Sequence, residues 1–242
     1  TSLAELKAWS TSQKDSQLSR LTDEYLPLSF SRRHGDPSRP WNSFSIETKK
    51  PDGSPNLSYE GNWRDIFQNW EALLLSFPAY IESTLAKFLN ATTLDGYNPY
   101  RLTRQGIDWE TENPDDPWSH IGYWGDHQII YLQKLLEIAH SHDPSLLKSR
   151  IKERRYSFAN VPYRIAPLEE LWQDPHHTVQ FDADLANEIE SRVESTGTDG
   201  KLIWGPTGDI LLGNLAEKLL IPALAKLSNF IPGAGIWMNT QR

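Results

Sequence analysis

The chain contains no cysteine, one methionine and no uninterrupted apolar run long enough to span a bilayer. Without cysteine there are no disulfides, no thiolate nucleophile and no Cys-based zinc site, a composition that suits a reducing cytoplasmic setting. A basic excess is missing too: 24 Lys and Arg stand against 32 Asp and Glu, a formal net charge of −8. Phosphate backbones are gripped by clustered cations, so no nucleic-acid partner is expected. The one dense basic run, residues 148–155 (KSRIKERR), carries Glu153 and reads as the solvated end of a helix. The most apolar stretch, residues 210–227, is interrupted by Asn214, Glu217, Lys218, Pro222 and Lys226. It reads as a buried helix, and no membrane partner is expected. The opening TSLAELKAW lacks the apolar centre of a signal peptide. H-E-x-x-H, G-x-G-x-x-G and the Lys-Ser/Thr of a phosphate loop are all missing, so neither a metal nor a nucleotide cofactor is expected.

What the chain has in quantity is aromatic surface, with ten Trp, nine Tyr and eight Phe in 242 residues, together with helical periodicity. Apolar spacing predicts helices over residues 3–9, 16–26, 63–75, 78–91, 126–140, 144–155, 167–172, 182–195 and 209–227, the last with a kink at Pro222. GPTGD, residues 205–209, reads as a turn followed by an N-cap at Asp209. Strand signals are few and short. Two long irregular stretches, residues 27–60 and 95–119, are dense in Pro, Gly, Ser and Asn. Connectors of that length are functional or covering segments rather than plain turns.

The stretch GNWRDIFQNWE, residues 61–71, carries the most chemistry. On a helix at about 100° per residue, Ile66, Phe67, Trp70, Leu73, Leu74 and Phe77 share an arc with Trp63. Arg64, Asp65, Gln68 and Asn69 share the opposite side. The plain reading is a half-buried helix with a polar face in water. The polar set is nevertheless unusual, since a guanidinium, a short carboxylate and two primary amides suit paired hydrogen bonds to neighbouring sugar hydroxyls. Indoles of the kind that flank them stack on pyranose faces. A second cluster, residues 118–132 (WSHIGYWGDHQIIYL), gathers His120, Tyr123, Trp124, Asp126 and His127 at a helix entrance, where Asp126 also suits an N-cap.

Gly61-Asn62-Trp63-Arg64-Asp65-Ile66-Phe67-Gln68-Asn69 resembles the G-x-R-D-x-x-Q-D segment of cellobiose-phosphorylase-like enzymes. The run from Tyr123 to Leu132 resembles their F-S-D-D-H-L-W-L segment, in the same order. Asn69 stands where those enzymes have a second Asp, and Gly125 where they have an Asp before Asp126. The resemblance implies a mainly α fold, part of a six-hairpin (α/α)6 barrel with long loops and few short strands. Residues 27–60 would then cover it, residues 61–142 would form the first hairpins with the sugar site, and residues 143–242 would add further helices. It implies an activity in carbohydrate metabolism: a glycoside hydrolase, or a phosphorylase with inorganic phosphate as co-substrate. Trp63, Arg64, Asp65, Gln68, Asn69, Trp124, Asp126 and His127 would hold an oligosaccharide or glycoside. GIWMNTQR, from Gly235 to Arg242, resembles a stretch of long bacterial relatives in which a W-N-D motif with the catalytic acid follows almost at once. That resemblance puts the catalytic acid beyond Arg242, and no residue of the chain is assigned to it. The expectation is a segment of a longer polypeptide whose remainder is its partner. Two other readings stay open: a glycan-binding scaffold without chemistry, and a sugar isomerase using His120 and His127. In the enzyme reading, residues 1–242 alone are expected to show no oligosaccharide turnover, which a reducing-sugar assay checks.

Overall fold

Ser2 and Asp15 open the first two helices of the computed structural model. It describes residues 2–26, 49–54, 61–94, 101–103, 106–109, 115, 128–174, 179–228, 230–231 and 235–236. In α1 (Leu3–Ser12) the Ser2 hydroxyl accepts from the Glu5 amide while the Glu5 carboxylate accepts from the Ser2 amide, a reciprocal capping box. Asp15 caps α2 (Ser16–Asp23) by accepting from the amides of Gln17 and Leu18.

The described residues are mainly helical, with strands only two or three residues long. β1 (Gly61–Asn62) runs straight into α3 (Trp63–Leu73). A 3-10 turn at Pro78–Tyr80 leads to α4 (Ile81–Asn90), and β2 (Arg101–Thr103) and β3 (Gly106–Asp108) complete an antiparallel sheet in the order β1-β2-β3. α5 (Gln128–His142) and α6 (Pro144–Arg150) follow, then β4 (Tyr156–Ser157), β5 (Tyr163–Ile165), α7 (Leu168–Gln173) and β6 (Val179–Phe181). The remainder is α8 (Ala183–Thr196), a 3-10 turn at Gly197–Lys201, β7 (Leu212–Gly213), α9 (Leu215–Ser228), β8 (Phe230–Ile231) and β9 (Gly235–Ile236).

The core lies where α3, α4 and α5 pack together. Ile66, Phe67, Trp70 and Leu74 of the predicted apolar arc are buried there, with Leu85, Phe88 and Leu89 of α4 and Leu132, Leu135 and Ala139 of α5. Phe67 and Phe88 meet edge to face at 4.8 Å, worth about 1 kcal/mol beyond the area they bury. Phe77 departs from the expected arc. The helix stops at Leu73, so Phe77 sits ahead of the 3-10 turn and is exposed.

The second organising feature is an extended segment, residues 155–163, sewn to several elements at once. The Ser157 amide donates to the Asn90 side chain and the Ser157 hydroxyl to the Asn90 carbonyl. The Ala159 amide donates to Thr92, the Asn160 amide to Lys201, and the Ile203 amide to Phe158. The Arg155 amide donates to Gly213, beside the β4–β7 pairing. These bonds correct one expectation. The helix predicted to Arg155 ends at Arg150, because the chain beyond it is drawn into extended pairing. Its basic run is not simply solvated either. Arg150 and Arg155 both reach Glu82, and Arg155 also pairs with Asp23. Burial alone would raise the Glu82 carboxyl, but Lys7 at 3.1 Å and Arg150 outweigh it and hold it below the ordinary carboxylate value.

The final helix differs from its prediction in two ways. Residues 210–213 are extended, with Ile210 bridging Trp204 and Leu212–Gly213 in β7, so Asp209 is not the cap. Asn214 takes that role in a second capping box: the Glu217 amide donates to the Asn214 side chain, and the Asn214 amide to the Glu217 carboxylate. The helix continues through Pro222 to Ser228, and it is not buried all round, since Leu220 and Leu224 are exposed.

On its inner side α9 carries Lys218, which has no measurable exposure. Its amine donates to the Ser157 carbonyl and, at 3.3 Å, to the Thr92 carbonyl, and lies 3.5 Å from the centre of the Phe158 ring. Phe158 is pressed close by Gly213, where a Cβ would stand 2.7 Å from the ring edge and any larger residue would force it away. Burial pushes the Lys218 amine well below its ordinary value, with adjacent Glu217 opposing. The sign follows. Between the lowered folded value and the ordinary 10.5 the unfolded chain binds one more proton, so this group makes stability rise with pH. Lys218→Met is expected to remove that component. Denaturant unfolding from neutral to alkaline pH checks it: the wild-type curve should climb relative to the variant's by up to about 1.4 kcal/mol per pH unit within that window.

Candidate functional site

Helix α3 starts at Trp63, so Trp63, Arg64 and Asp65 occupy its first turn. Their side chains lie outside what the structure describes. One turn later Gln68 is exposed and Asn69 is half-buried, opposite the buried Ile66, Phe67 and Trp70. The expected separation of a polar and an apolar face therefore holds at each of those five positions. Trp124, Asp126, His127 and His120 of the second predicted cluster lie outside the described residues, as do residues 27–48 and 55–60 of the expected covering stretch. Arg242 lies outside them too, so the expectation of a catalytic acid beyond Arg242 meets no described residue at that end. The two predicted clusters are consequently not seen side by side. α5, whose first residues form the end of the second cluster, does pack on α3, and Lys134 of α5 reaches Glu71 of α3 at 3.0 Å.

A cleft of about 310 Å³ opens elsewhere, against the sheet that leads into α3. Gly61 of β1 pairs with Leu102 of β2, and Leu102 pairs with Ile107 of β3. Leu102 and Ile107 form part of the apolar lining, with Leu26, Ala91 and Leu202. Gly106 permits the β2–β3 turn through its positive φ of 96°, and its bare Cα faces the Thr198 side chain at the cleft edge. A Cβ there would approach Thr198 to 3.3 Å.

Two ion pairs supply the polar wall. Arg20 of α2 donates through Nη2 to Asp199 at 2.7 Å and through Nε to Gln17 at 3.0 Å. Glu24 accepts from the Asn90 amide at 2.7 Å and lies 3.5 Å from the Lys87 amine. Asn90 thus does double duty, since its side-chain oxygen accepts from Ser157 while its nitrogen holds Glu24. The Asp199 loop is fixed in turn by Trp204, whose indole donates to the Asp199 carbonyl at 3.0 Å. Lys201 anchors the same 3-10 turn to β3 by donating to the Ile107 carbonyl at 2.9 Å, and sits 5.2 Å from the Trp109 ring centre.

None of the cleft residues was assigned a ligand-binding role from the sequence, and only part of a signal existed. Arg20 and Asp199 are 179 positions apart, and helical periodicity reports on one element at a time. Asn90 stood at the C-terminal end of a predicted helix, an ordinary place for an amide. No group of three or more His, Cys, Asp or Glu among the described residues is arranged to hold a metal. The chain matches no protein-family model and no curated protein.

Arg20 is 4% exposed, so its guanidinium depends on Asp199. Asp199→Ala is expected to destabilise the fold by about 3 kcal/mol, because removing one partner strands a buried charge. Chemical denaturation checks this, with Glu169→Ala, an exposed residue of α7, expected to change stability by less than about 0.5 kcal/mol.

Proposed function

We propose that this chain supplies the sugar-holding part of a carbohydrate-active enzyme that hydrolyses or phosphorolyses a glycosidic bond on an (α/α)6 barrel. The carrying observation is the division of α3: one face is locked into the core by Ile66, Phe67, Trp70 and Leu74, leaving the amides of the R-D-x-x-Q-N set on the other side. A rigid helix with its back buried holds such groups more accurately than a loop does. The packing of α3, α4, α5 and α6 on their neighbours in sequence supports successive hairpins of a barrel.

In this reading Arg64 donates to, and Asp65 accepts from, adjacent sugar hydroxyls, while Gln68 and Asn69 extend the set along the next turn. Trp63 and Trp124 stack on pyranose faces, and Asp126 and His127 complete the rim. Bond breakage needs a carboxylic acid to protonate the leaving oxygen. Phosphate, or water activated by a second carboxylate, attacks the opposite face. No described residue is assigned the acid's role.

Titration of the full protein with a panel of oligosaccharides tests this. Arg64→Ala and Asp65→Ala are each expected to weaken binding at least about tenfold, the cost of a charge-assisted hydrogen bond. Unchanged affinity in both variants would reduce the polar arc to a solvated face.

A further inference from the structure

The cleft beside α2 presents a pattern that the α3 reading does not use. Its four charged groups cancel: Arg20 is paired with Asp199 and Lys87 with Glu24. Each member of the Arg20–Asp199 pair still keeps unused capacity. Arg20 donates through Nε and Nη2 but makes no described hydrogen bond through Nη1, although the residue is almost wholly buried and lines the cleft. Asp199 accepts from Arg20 through one carboxylate oxygen and makes no described hydrogen bond through the other. The hydroxyls of Tyr25 and Thr198, also in the lining, have no described partner either. The same cleft is lined by the apolar side chains of Leu26, Leu102, Ile107 and Leu202.

We propose that this cleft is a binding site for one neutral, polyhydroxylated ring, a monosaccharide or cyclitol. An ionised ligand would have to compete for groups already neutralised, and would add a charge where the protein's own charges sum to zero. A vicinal diol need not compete. One hydroxyl accepts from Arg20 Nη1 while its neighbour donates to the free oxygen of Asp199, and the guanidinium–carboxylate pair remains intact between them. The C–H face of the ring then covers the leucine and isoleucine side chains, which have no polar atoms to satisfy. The size agrees: about 310 Å³ is at the small end of ligand pockets and suits a single ring rather than a chain of them.

The site is separate from α3 and its test separates the two. The full protein is titrated with glucose, galactose, mannose, xylose and myo-inositol, with glucuronate and protonated glucosamine as charged controls. Saturable millimolar binding of at least one neutral ring, with charged probes weaker, is the expected result. Arg20→Lys keeps the charge but loses the fork of nitrogens, and is expected to weaken that binding roughly tenfold when titrated well below its own unfolding temperature. Thr198→Trp, at an exposed position of the 3-10 turn, leaves both ion pairs alone and is expected to abolish binding by filling the mouth. Arg64→Ala should leave monosaccharide binding at the cleft unaltered, even where it weakens oligosaccharide binding at α3. No saturable binding of any neutral ring, tighter binding of a charged probe, or full retention of binding in Thr198→Trp would each overturn the proposal.

Discussion

An uncharged environment around a lysine amine is a severe demand on a fold, and much of this structure is arranged to meet it. Lys218 enters from α9, and its amine meets the chain just past the end of α4 and the carbonyl of Ser157. Helix ends leave carbonyls without intrahelical partners, and in the last turn of α4 the Phe88 and Asn90 carbonyls accept from the Thr92 and Ser157 hydroxyls. Asn90 contributes to the same knot through both ends of its amide and through its backbone carbonyl. α4, the 155–163 segment and α9 are therefore held by a few polar contacts surrounded by apolar packing. In such surroundings a satisfied polar group rigidifies, and an orphaned one is costly.

A second, wetter set of charges works differently. Glu82 collects Lys7, Arg150 and Arg155, and Arg155 extends the set to Asp23. This joins α1, α2, α4 and the chain after α6 along one partly exposed seam. Pairs of this kind are individually weak when exposed and matter here as a network. The contribution of Glu82 is present at neutral pH and is lost as pH falls through its lowered value.

The helices were legible in the sequence because each apolar stripe is local. The buried positions of α3 and the central ones of α5 follow directly from their 3.6-residue spacing. Where the reading went astray, hydrogen bonds to distant partners had overruled local pattern. Residues 151–155 had helical composition but were claimed by Gly213 and by acidic side chains of α2 and α4. Asp209 looked like a cap because it precedes an apolar run, yet the N-L-A-E signature five residues on was the better signal. Lys218 was visible only as a charge within an apolar stretch. Its partners come from residues more than 60 positions away, which no windowed pattern contains. The same holds for the cleft, whose lining is drawn from α2, α4, β2, β3 and the 3-10 turn after α8.

That dispersed origin has a kinetic meaning. The Arg20–Asp199 contact joins residues 179 positions apart, so the cleft exists only after α2 and the turn at Gly197–Lys201 have come together. Contacts of such high sequence separation pay their closure entropy before they return any stabilisation, which places them late in assembly. The α3–α5 core can form from residues much nearer to one another, whereas the cleft draws its lining from positions as far apart as Arg20 and Leu202. Any event that parts the first helix pair from the turn at Gly197–Lys201 would empty the cleft of half its polar wall while leaving that core standing.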